Sequence, residues 1–223
     1  MHLARVFAAS LAFALLALPA WCADWPVIAT EDFEKGAEAW QPMDPSGWKV
    51  EKLEGKGVFS HFKKATSYKP PHRSPTNWAL LKEPVVGDFE LTAKVKSTEK
   101  EYGHRDACII FGHQGPAKFY YVHLATKADD HANQIFIVND APRTKISKTS
   151  TAGTKWTDDW HTIKVIRTVA DGKISIYYDD MEKPVMTAED KTFTSGRVGV
   201  GSFDDTTTWD EVVIKGVKVD AKP

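Results

Sequence analysis

The chain has 223 residues, with 29 lysines and arginines against 30 aspartates and glutamates, 42% hydrophobic residues and two cysteines. The near-neutral charge argues against a nucleic-acid-binding protein, because no excess of cations is available to displace phosphate counterions. Two cysteines argue against a disulfide-rich scaffold, and the hydrophobic content is sufficient for the core of one sizeable domain.

The first 22 residues have the pattern of a signal peptide. Arg5 supplies a positive charge, and residues 6–18 form an apolar run that is too short to span a bilayer. Residues 20–22 read Ala-Trp-Cys, a small–x–small cleavage site. The pattern predicts export to the periplasm or the cell exterior, with a mature chain of residues 23–223 and no further transmembrane segment. The alternative is a lipoprotein acylated at Cys22.

Beyond the signal peptide, apolar residues alternate with others in short runs separated by Gly, Pro, Asn and Asp. Such runs predict strands with one buried face, and they include residues 89–95, 163–166, 174–178, 198–200 and 212–214. More continuous apolar runs predict central strands buried on both faces, and these are residues 107–111, 119–124 and 135–138. No ten-residue stretch has a helical period. The pattern predicts an all-β fold, a two-sheet antiparallel jelly-roll sandwich whose first and last strands are adjacent.

The segments between these strands have turn and loop chemistry. Residues 170–173, Ala-Asp-Gly-Lys, predict a hairpin turn, and residues 68–75 contain three prolines and predict a loop. No stretch rich in Gly, Ser or Pro divides the chain, and no internal repeat is present. The sequence therefore predicts a single sandwich domain over residues 23–223.

Several segments spread over most of the chain have a recognisable order and spacing. They are residues 31–34 (EDFE), Trp40, residues 48–50 (WKV), 87–91 (GDFEL), 119–123 (FYYVH), 160–165 (WHTIKV) and 209–212 (WDEV). This arrangement resembles the 3-keto-disaccharide hydrolase domain family, formerly a domain of unknown function, in the concanavalin A-like lectin/glucanase group. The resemblance implies a concanavalin A-like sandwich and an enzyme acting on a modified glycoside. The Glu-x-Asp-x-x-Glu strand motif of family-16 glucanases is absent, so that mechanism is not implied.

The apolar run 119–124 carries the strongest candidate site. Its even-numbered positions are apolar enough to face the core, which places Phe119, Tyr121 and His123 on the opposite face. Aromatic and imidazole groups in a row are suited to stacking on a sugar ring and to making polar contacts with it. His123 is a candidate catalytic acid or base, because an unperturbed histidine titrates near pH ~6.5. The alternative is that this face packs beneath a covering loop.

Two charged segments supply further candidates. Arg105 and Asp106 precede the apolar run 107–111, where Arg105 is a candidate ligand-binding donor and Asp106 a candidate catalytic acceptor or base. The alternative is a solvated turn. Asp204 follows the glycine-containing run 197–201, in which glycines permit close approach of another backbone or a ligand. Asp106 and Asp204 together would suit two-carboxylate glycosidase chemistry.

Polar side chains also flank the run 135–138. His131 and Asn133 precede it and Arg143 follows it, and all three are candidates for binding sugar hydroxyls. Ordinary hairpin chemistry is the alternative, because Asn, Asp and Pro are common in turns.

A structural calcium site is predicted near the chain ends, which often lie side by side in jelly rolls. Asp32, Glu34 and Asp210 offer the hard oxygen ligands that calcium prefers. The alternative is that these residues are solvent-facing charges. No histidine spacing supports a transition-metal site.

These observations predict an exported domain whose partner is a carbohydrate bound on one sheet. Two other functions remain open: a glycoside hydrolase similar to the 3-keto-disaccharide hydrolases, and a non-catalytic surface or adhesion module that recognises protein.

Overall fold

Two antiparallel sheets build the part of the chain that the computed structural model describes, residues 24–220. The nine-stranded sheet has the order β11 (Ser147–Ser150), β14 (Met186–Glu189), β13 (Lys173–Tyr178), β12 (His161–Arg167), β6 (Val86–Ser97), β16 (Thr207–Lys218), β4 (Lys56–His61) and β3 (Trp48–Leu53), with β1 (Val27–Glu31) also paired to β16. The seven-stranded sheet has the order β10 (Thr144–Lys145), β9 (Gln134–Asn139), β8 (Lys118–Ala125), β7 (Asp106–Gly115), β15 (Arg197–Ser202), β5 (Asn77–Leu81) and β2 (Trp40–Pro42).

Helical structure is nearly absent from these residues. A single 3₁₀ turn, Pro45–Gly47, is capped by the carboxylate of Asp44, which accepts the N–H of Ser46. No helix within residues 24–220 combines the length and apolar composition needed to cross a membrane. The signal peptide predicted for residues 1–22 lies outside the described residues.

The prediction of an all-β, two-sheet jelly-roll sandwich is confirmed. The first strand, β1, pairs antiparallel with the last, β16, with Glu31 opposite Val212. Residues 170–173 connect the paired strands β12 and β13, as their turn chemistry predicts.

The main hydrophobic core lies between the two sheets, and the period of two decides which residues enter it. In β6, Phe89, Leu91, Ala93 and Val95 are at most 1% exposed, while the residues between them are half-buried. In β8, the even-numbered residues 120, 122 and 124 belong to this core. The assignment of faces that the sequence predicts for this strand is therefore correct.

The outer face of the seven-stranded sheet carries a second buried cluster. Its members are Trp78, Leu80, Cys108, Ile110, Phe119, Tyr121, Phe136 and Val138. Met43, Tyr68, Ala117 and Phe203, which lie in loops and turns or beside them, pack against it. Tyr121 and His123 were expected to form an open surface. They do not, because both residues are at most 3% exposed. Loops cover the sheet, so β7 to β9 are buried on both faces.

The glycines of β15 bring strands together. Gly201 lies between Trp78 of β5 and Cys108 of β7, and a Cβ atom at Gly201 would be 2.2 Å from the carbonyl oxygen of Asn77. The sequence left open whether these glycines permit close approach of another backbone or of a ligand. At Gly201 the absence of a side chain permits close approach of the neighbouring backbone.

Candidate functional site

A buried histidine–carboxylate pair lies on the outer face of the seven-stranded sheet. The pairing of β7 with β8 brings His123 beside Asp106, and His123 Nε2 is 2.5 Å from Asp106 Oδ2. The other ring nitrogen, Nδ1, is 3.1 Å from the carbonyl oxygen of His131. Both ring nitrogens thus face oxygen acceptors. Contacts at both ring nitrogens fix the orientation of the buried imidazole, as a buried polar group requires.

Backbone contacts hold the Asp106 carboxylate in place. Its Oδ1 atom accepts the N–H of Phe203 at 3.0 Å, and the Asp106 N–H donates to Oδ2 of Asp205 at 3.0 Å. Strand β7 is therefore tied directly to the loop that follows β15.

Asp205 anchors this loop. Its side chain is 1% exposed and accepts the hydroxyl of Tyr102 at 2.5 Å, while its carbonyl oxygen accepts the side chains of Asn77 and Ser202. Burial, reinforced by the negative charge of Asp106, raises the pKa of Asp205 to about 6. These contacts fix the loop and hence the position of Phe203.

Phe203 is the centre of a group of charged and aromatic side chains. Its ring stacks on His123, with centroids 5.3 Å apart and planes at 20°. The guanidinium carbon of Arg143 lies 4.8 Å from the centroid of Phe203, and that of Arg73 lies 5.6 Å from it. We call Arg73, His123, Arg143, Phe203 and the adjacent Asp204 the Phe203 cluster.

Arg143 is the most firmly held cation of the cluster. It packs on two rings, with 4.8 Å to the centroid of Phe136 as well as to that of Phe203. Its Nη1 atom donates to the hydroxyl oxygen of the buried Tyr121 at 2.8 Å. Stacking uses the faces of the guanidinium and leaves its remaining in-plane N–H groups available for a ligand.

Asp204 is the exposed carboxyl group of the cluster. Partial burial and the negative charge of Asp106 raise the pKa of Asp204. A surface pocket of about 400 Å³ adjoins the cluster at this residue and is lined by Lys64, Ala65, Tyr102, Asp204 and Asp205.

The two carboxyl groups expected to act together have different surroundings. Asp106 is 1% exposed and fully engaged by His123 and Phe203, whereas Asp204 is exposed. A substrate can reach Asp204 but not Asp106 in this arrangement. His123, also expected to be catalytic, is 3% exposed beneath Phe203.

Cys108 lies next to the buried pair. Ligand atoms of Asp106, Cys108 and His123 lie within 4.8 Å of one another, the one such grouping found within residues 24–220. Nε2 of His123 and Oδ2 of Asp106 are hydrogen-bonded to each other. Burial raises the pKa of the Cys108 thiol well above its usual value. The arrangement is a hydrogen-bonded pair beside a protonated thiol.

Arg105 does not join the Phe203 cluster, contrary to expectation. Its guanidinium donates to Ser97 and to the Thr157 carbonyl oxygen, and Nη2 is 3.1 Å from Asp158. The physical reason is strand alternation, because Arg105 immediately precedes Asp106 and its side chain takes the opposite direction.

The histidine and asparagine before β9 have structural contacts. Asn133 is fully buried; its amide donates to Ser150 and Thr151 and accepts the hydroxyl of Thr154. His131 is exposed and contributes its backbone carbonyl to His123. The structure thus brings Arg143, Tyr121, His123, Asp106 and Asp204 together, but not the side chain of Asn133.

The three residues expected to bind calcium have separate partners. The Glu34 carboxylate accepts hydrogen bonds from the Lys52 ammonium group and from the N–H of Gly57. The Asp32 carboxylate accepts a hydrogen bond from the N–H of Glu34. Asp210, in β16, accepts the N–H of the next residue of the same strand, Glu211. Within the part of the chain that is described, their oxygen atoms do not gather into one ligand set. The donor set therefore does not fit a shared ion.

Sequence reasoning missed several members of the site. Arg73 lies in the proline-rich loop of residues 68–75, and Phe203 and Asp205 lie in the turn after β15, outside the set of predicted site residues. The available signal for Phe203 was an aromatic residue directly beside two carboxylates. Arg73 had no such signal, because only the folded loop brings it to Phe203.

Comparison with known proteins shows what fold this chain shares. No protein family matches it by sequence, and no curated protein does. The carbohydrate-binding module CBM66 from Bacillus subtilis is similar in structure, with a TM-score of 0.55, 14% identity, and coverage of 80% of this chain and 96% of that one. The acidic lectin of winged bean, complexed with methyl-α-D-galactose, has a TM-score of 0.51 at 10% identity, with coverage of 83% and 98%.

A third similar structure belongs to a larger protein. The GH43 protein BlXynB from Bacillus licheniformis has a TM-score of 0.55 at 13% identity, and the match covers 84% of this chain and 39% of that one. At such identities the three comparisons show a common jelly-roll sandwich. The resemblance to the 3-keto-disaccharide hydrolase family stays a prediction.

Proposed function

We propose that this chain is an exported carbohydrate-binding domain and that a saccharide binds at the Phe203 cluster. The fold is compatible with this function, since the similar structures include a carbohydrate-binding module and a lectin in complex with a galactoside. The observation that carries the proposal is the position of Arg143, which is held between two aromatic rings and oriented by Tyr121.

The physical basis is preorganisation of hydrogen-bond donors. A guanidinium has five N–H groups, and Arg143 uses one of them on Tyr121. Because its orientation is already fixed, Arg143 loses little conformational entropy when a ligand binds. Arg73 adds a second planar donor, and Asp204 adds an acceptor beside the pocket. Together these groups match the alternating donors and acceptors of sugar hydroxyls.

A glycoside hydrolase is the second candidate, and Asp204 is the observation that favours it. An exposed carboxyl group with a raised pKa retains its proton at higher pH and can donate it to a leaving oxygen. Two-carboxylate chemistry also needs a second carboxylate that reaches the substrate. Asp106 and Asp205 are each 1% exposed and engaged by other groups, so binding without turnover is the better-supported function.

A glycan array with matched variants tests the proposal. We expect the mature chain to bind a subset of saccharides and Phe203→Ala to weaken that binding at least tenfold, because Arg73 and Arg143 lose the ring that they share. Phe62→Ala is the matched control, since Phe62 is 45% exposed and lies beneath Lys49 and Lys63, neither of which belongs to the Phe203 cluster. Its binding should equal that of the wild type.

Each contrary result identifies another function. Release of reducing sugar that Asp204→Asn abolishes would establish the hydrolase. If the chain neither binds a glycan on the array nor releases reducing sugar, the carbohydrate proposal is overturned and a protein-recognising module is favoured. Export is tested separately by mass spectrometry of the secreted or periplasmic product, which should begin at residue 23; a lipid-modified Cys22 would establish the lipoprotein instead.

A further inference from the structure

Arg73 and Arg143 differ from the other arginines of residues 24–220 because both lie against the same aromatic ring, that of Phe203. Arg105 donates to Ser97, Thr157 and Asp158, and lies 3.7 Å from Glu101. Arg167 is buried and donates to the carbonyl oxygens of Gly172 and Phe193, and Arg197 donates to Gln41. Arg143 makes one hydrogen bond, to a neutral hydroxyl, as Arg197 does to a neutral amide, and Arg73 makes no hydrogen bond within this part of the chain. Arg73 and Arg143 are the two arginines that share a ring, since both guanidinium carbons lie within 5.6 Å of the Phe203 centroid.

We infer that the saccharide bound at the Phe203 cluster carries a carboxylate, as the uronic acids do, and that Arg73 and Arg143 bind it. This inference rests on the proposed function and specifies its ligand class. Planar guanidinium groups match a carboxylate through paired N–H···O contacts, which a neutral hydroxyl does not provide. Both guanidinium carbons lie within 5.6 Å of the centroid of one ring, and we take a single carboxylate beside that ring to be their shared ligand.

Neither Arg73 nor Arg143 has an ion-pair partner within 4.0 Å among the described residues, although Arg73 is near enough to Asp204 to oppose the rise in the pKa of that carboxyl group. His123 is balanced by Asp106 at 2.5 Å, and Lys64 is held by Glu99 at 2.7 Å and lies 3.6 Å from Asp205. Asp204 is the remaining acid of the cluster, and neither arginine lies within 4.0 Å of it as an ion pair in the described residues. A bound carboxylate would therefore supply the charge partner that the protein does not supply.

The pairing geometry also explains why Arg143 is anchored by a hydroxyl and not by an acid. A carboxylate in place of the Tyr121 hydroxyl would neutralise the guanidinium and weaken its attraction for an anionic ligand. The Tyr121 hydroxyl fixes the orientation of Arg143 without changing its charge. Burial raises the pKa of Tyr121, so this hydroxyl stays neutral.

An array of uronic-acid oligosaccharides, each paired with its carboxyl-reduced neutral counterpart, tests the inference. We expect the mature chain to bind at least one acidic oligosaccharide at least tenfold more tightly than its reduced counterpart. Arg143→Gln and Arg73→Gln should each remove most of this preference, and Arg197→Gln is the matched control that should retain it. The thermal midpoint of each variant should be measured to check that it is folded. If Arg143→Gln destabilises the chain, Arg73→Gln still tests the inference, because Arg73 is exposed.

The outcomes separate this inference from the proposed function. Equal binding of acidic and reduced sugars, with both weakened by Phe203→Ala, would overturn the carboxylate inference and leave carbohydrate binding intact. Preferential binding of sulfated neutral sugars over uronates would also overturn it, in favour of a sulfate ligand. If no glycan of either kind binds, or if cluster variants leave binding unchanged, the proposed function fails along with the inference.

Discussion

His123 Nε2 lies 2.5 Å from Asp106 Oδ2, and neither side chain is more than 4% exposed. The pair joins β7 to β8 and lies directly beneath Phe203, so it supports the surface that we assign to ligand binding. Because the pair is buried, removing either partner should change the free energy of unfolding.

Removing one partner of this pair should destabilise the fold strongly. His123→Ala leaves the Asp106 carboxylate buried without its cation, which costs about 3 kcal/mol or more. Asp106→Asn removes the charge and should cost less. In the double variant the losses should be smaller than their sum, because the second substitution removes a group that is already unpaired. Urea denaturation of the four proteins measures this coupling. Additive effects would contradict the importance of the pair.

Tyr121→Phe should reduce ligand affinity while leaving the fold intact. The substitution deletes only the hydroxyl that accepts Arg143 Nη1, and it retains the buried ring that stacks on Phe136 at 5.0 Å. Arg143 then has to be ordered by the ligand itself, so we expect affinity to fall about five- to tenfold, the size of one ordinary hydrogen bond of about 1 kcal/mol. Isothermal titration with the best glycan from the array measures it. Tyr177→Phe, on the other sheet, is the control.

Two buried histidines should lower the stability as the pH is lowered from about 6.5 to about 4. Asp205, whose pKa is raised to about 6, should offset part of this loss because its folded form binds a proton first. Burial lowers the pKa of both His61 and His113 to about 4, from an ordinary value of 6.5. Between these values the unfolded chain binds protons that the folded chain does not, so acid favours unfolding, and below about 4 this effect is complete. Thermal midpoints across this range give the loss for the wild type.

His113→Phe should weaken that acid dependence and raise the midpoint near neutral pH. The Nδ1 atom of His113 is buried without a hydrogen-bond partner, and the ring packs among Trp78 and Phe119. Replacing it removes an unsatisfied polar atom worth about 1 kcal/mol. An unchanged pH slope in this variant would show that His113 is not one of the groups responsible.

Gly201→Ala should be far more harmful than Gly115→Ala. A Cβ atom at Gly201 would lie 2.2 Å from the Asn77 carbonyl oxygen, and relief requires β15 and β5 to separate. We expect a loss of about 3 kcal/mol or failure to fold, on the scale of severe overpacking. A Cβ atom at Gly115 meets nothing within 4 Å. The yield and urea midpoint of both variants provide the comparison.

The fold class could be predicted from the amino-acid sequence, because the period of two is a local property that does not depend on strand order. The sequence correctly assigned the core face of β8 and the double burial of β7 to β9. It also indicated correctly that β1 and β16 are neighbours. Side-chain alternation needs only the identity of successive residues, so one strand can be interpreted without its partners.

Only the tertiary structure decided which polar residues meet. Arg73, Arg143 and Phe203 are separated by 60 or more residues along the chain and converge because loops fold over the seven-stranded sheet. The same coverage buries His123 and Tyr121, and strand alternation turns Arg105 away from Asp106. These outcomes depend on loop paths, which are set by long-range contacts such as those of Asp205 with Tyr102 and Asn77. No local pattern in the sequence encodes them.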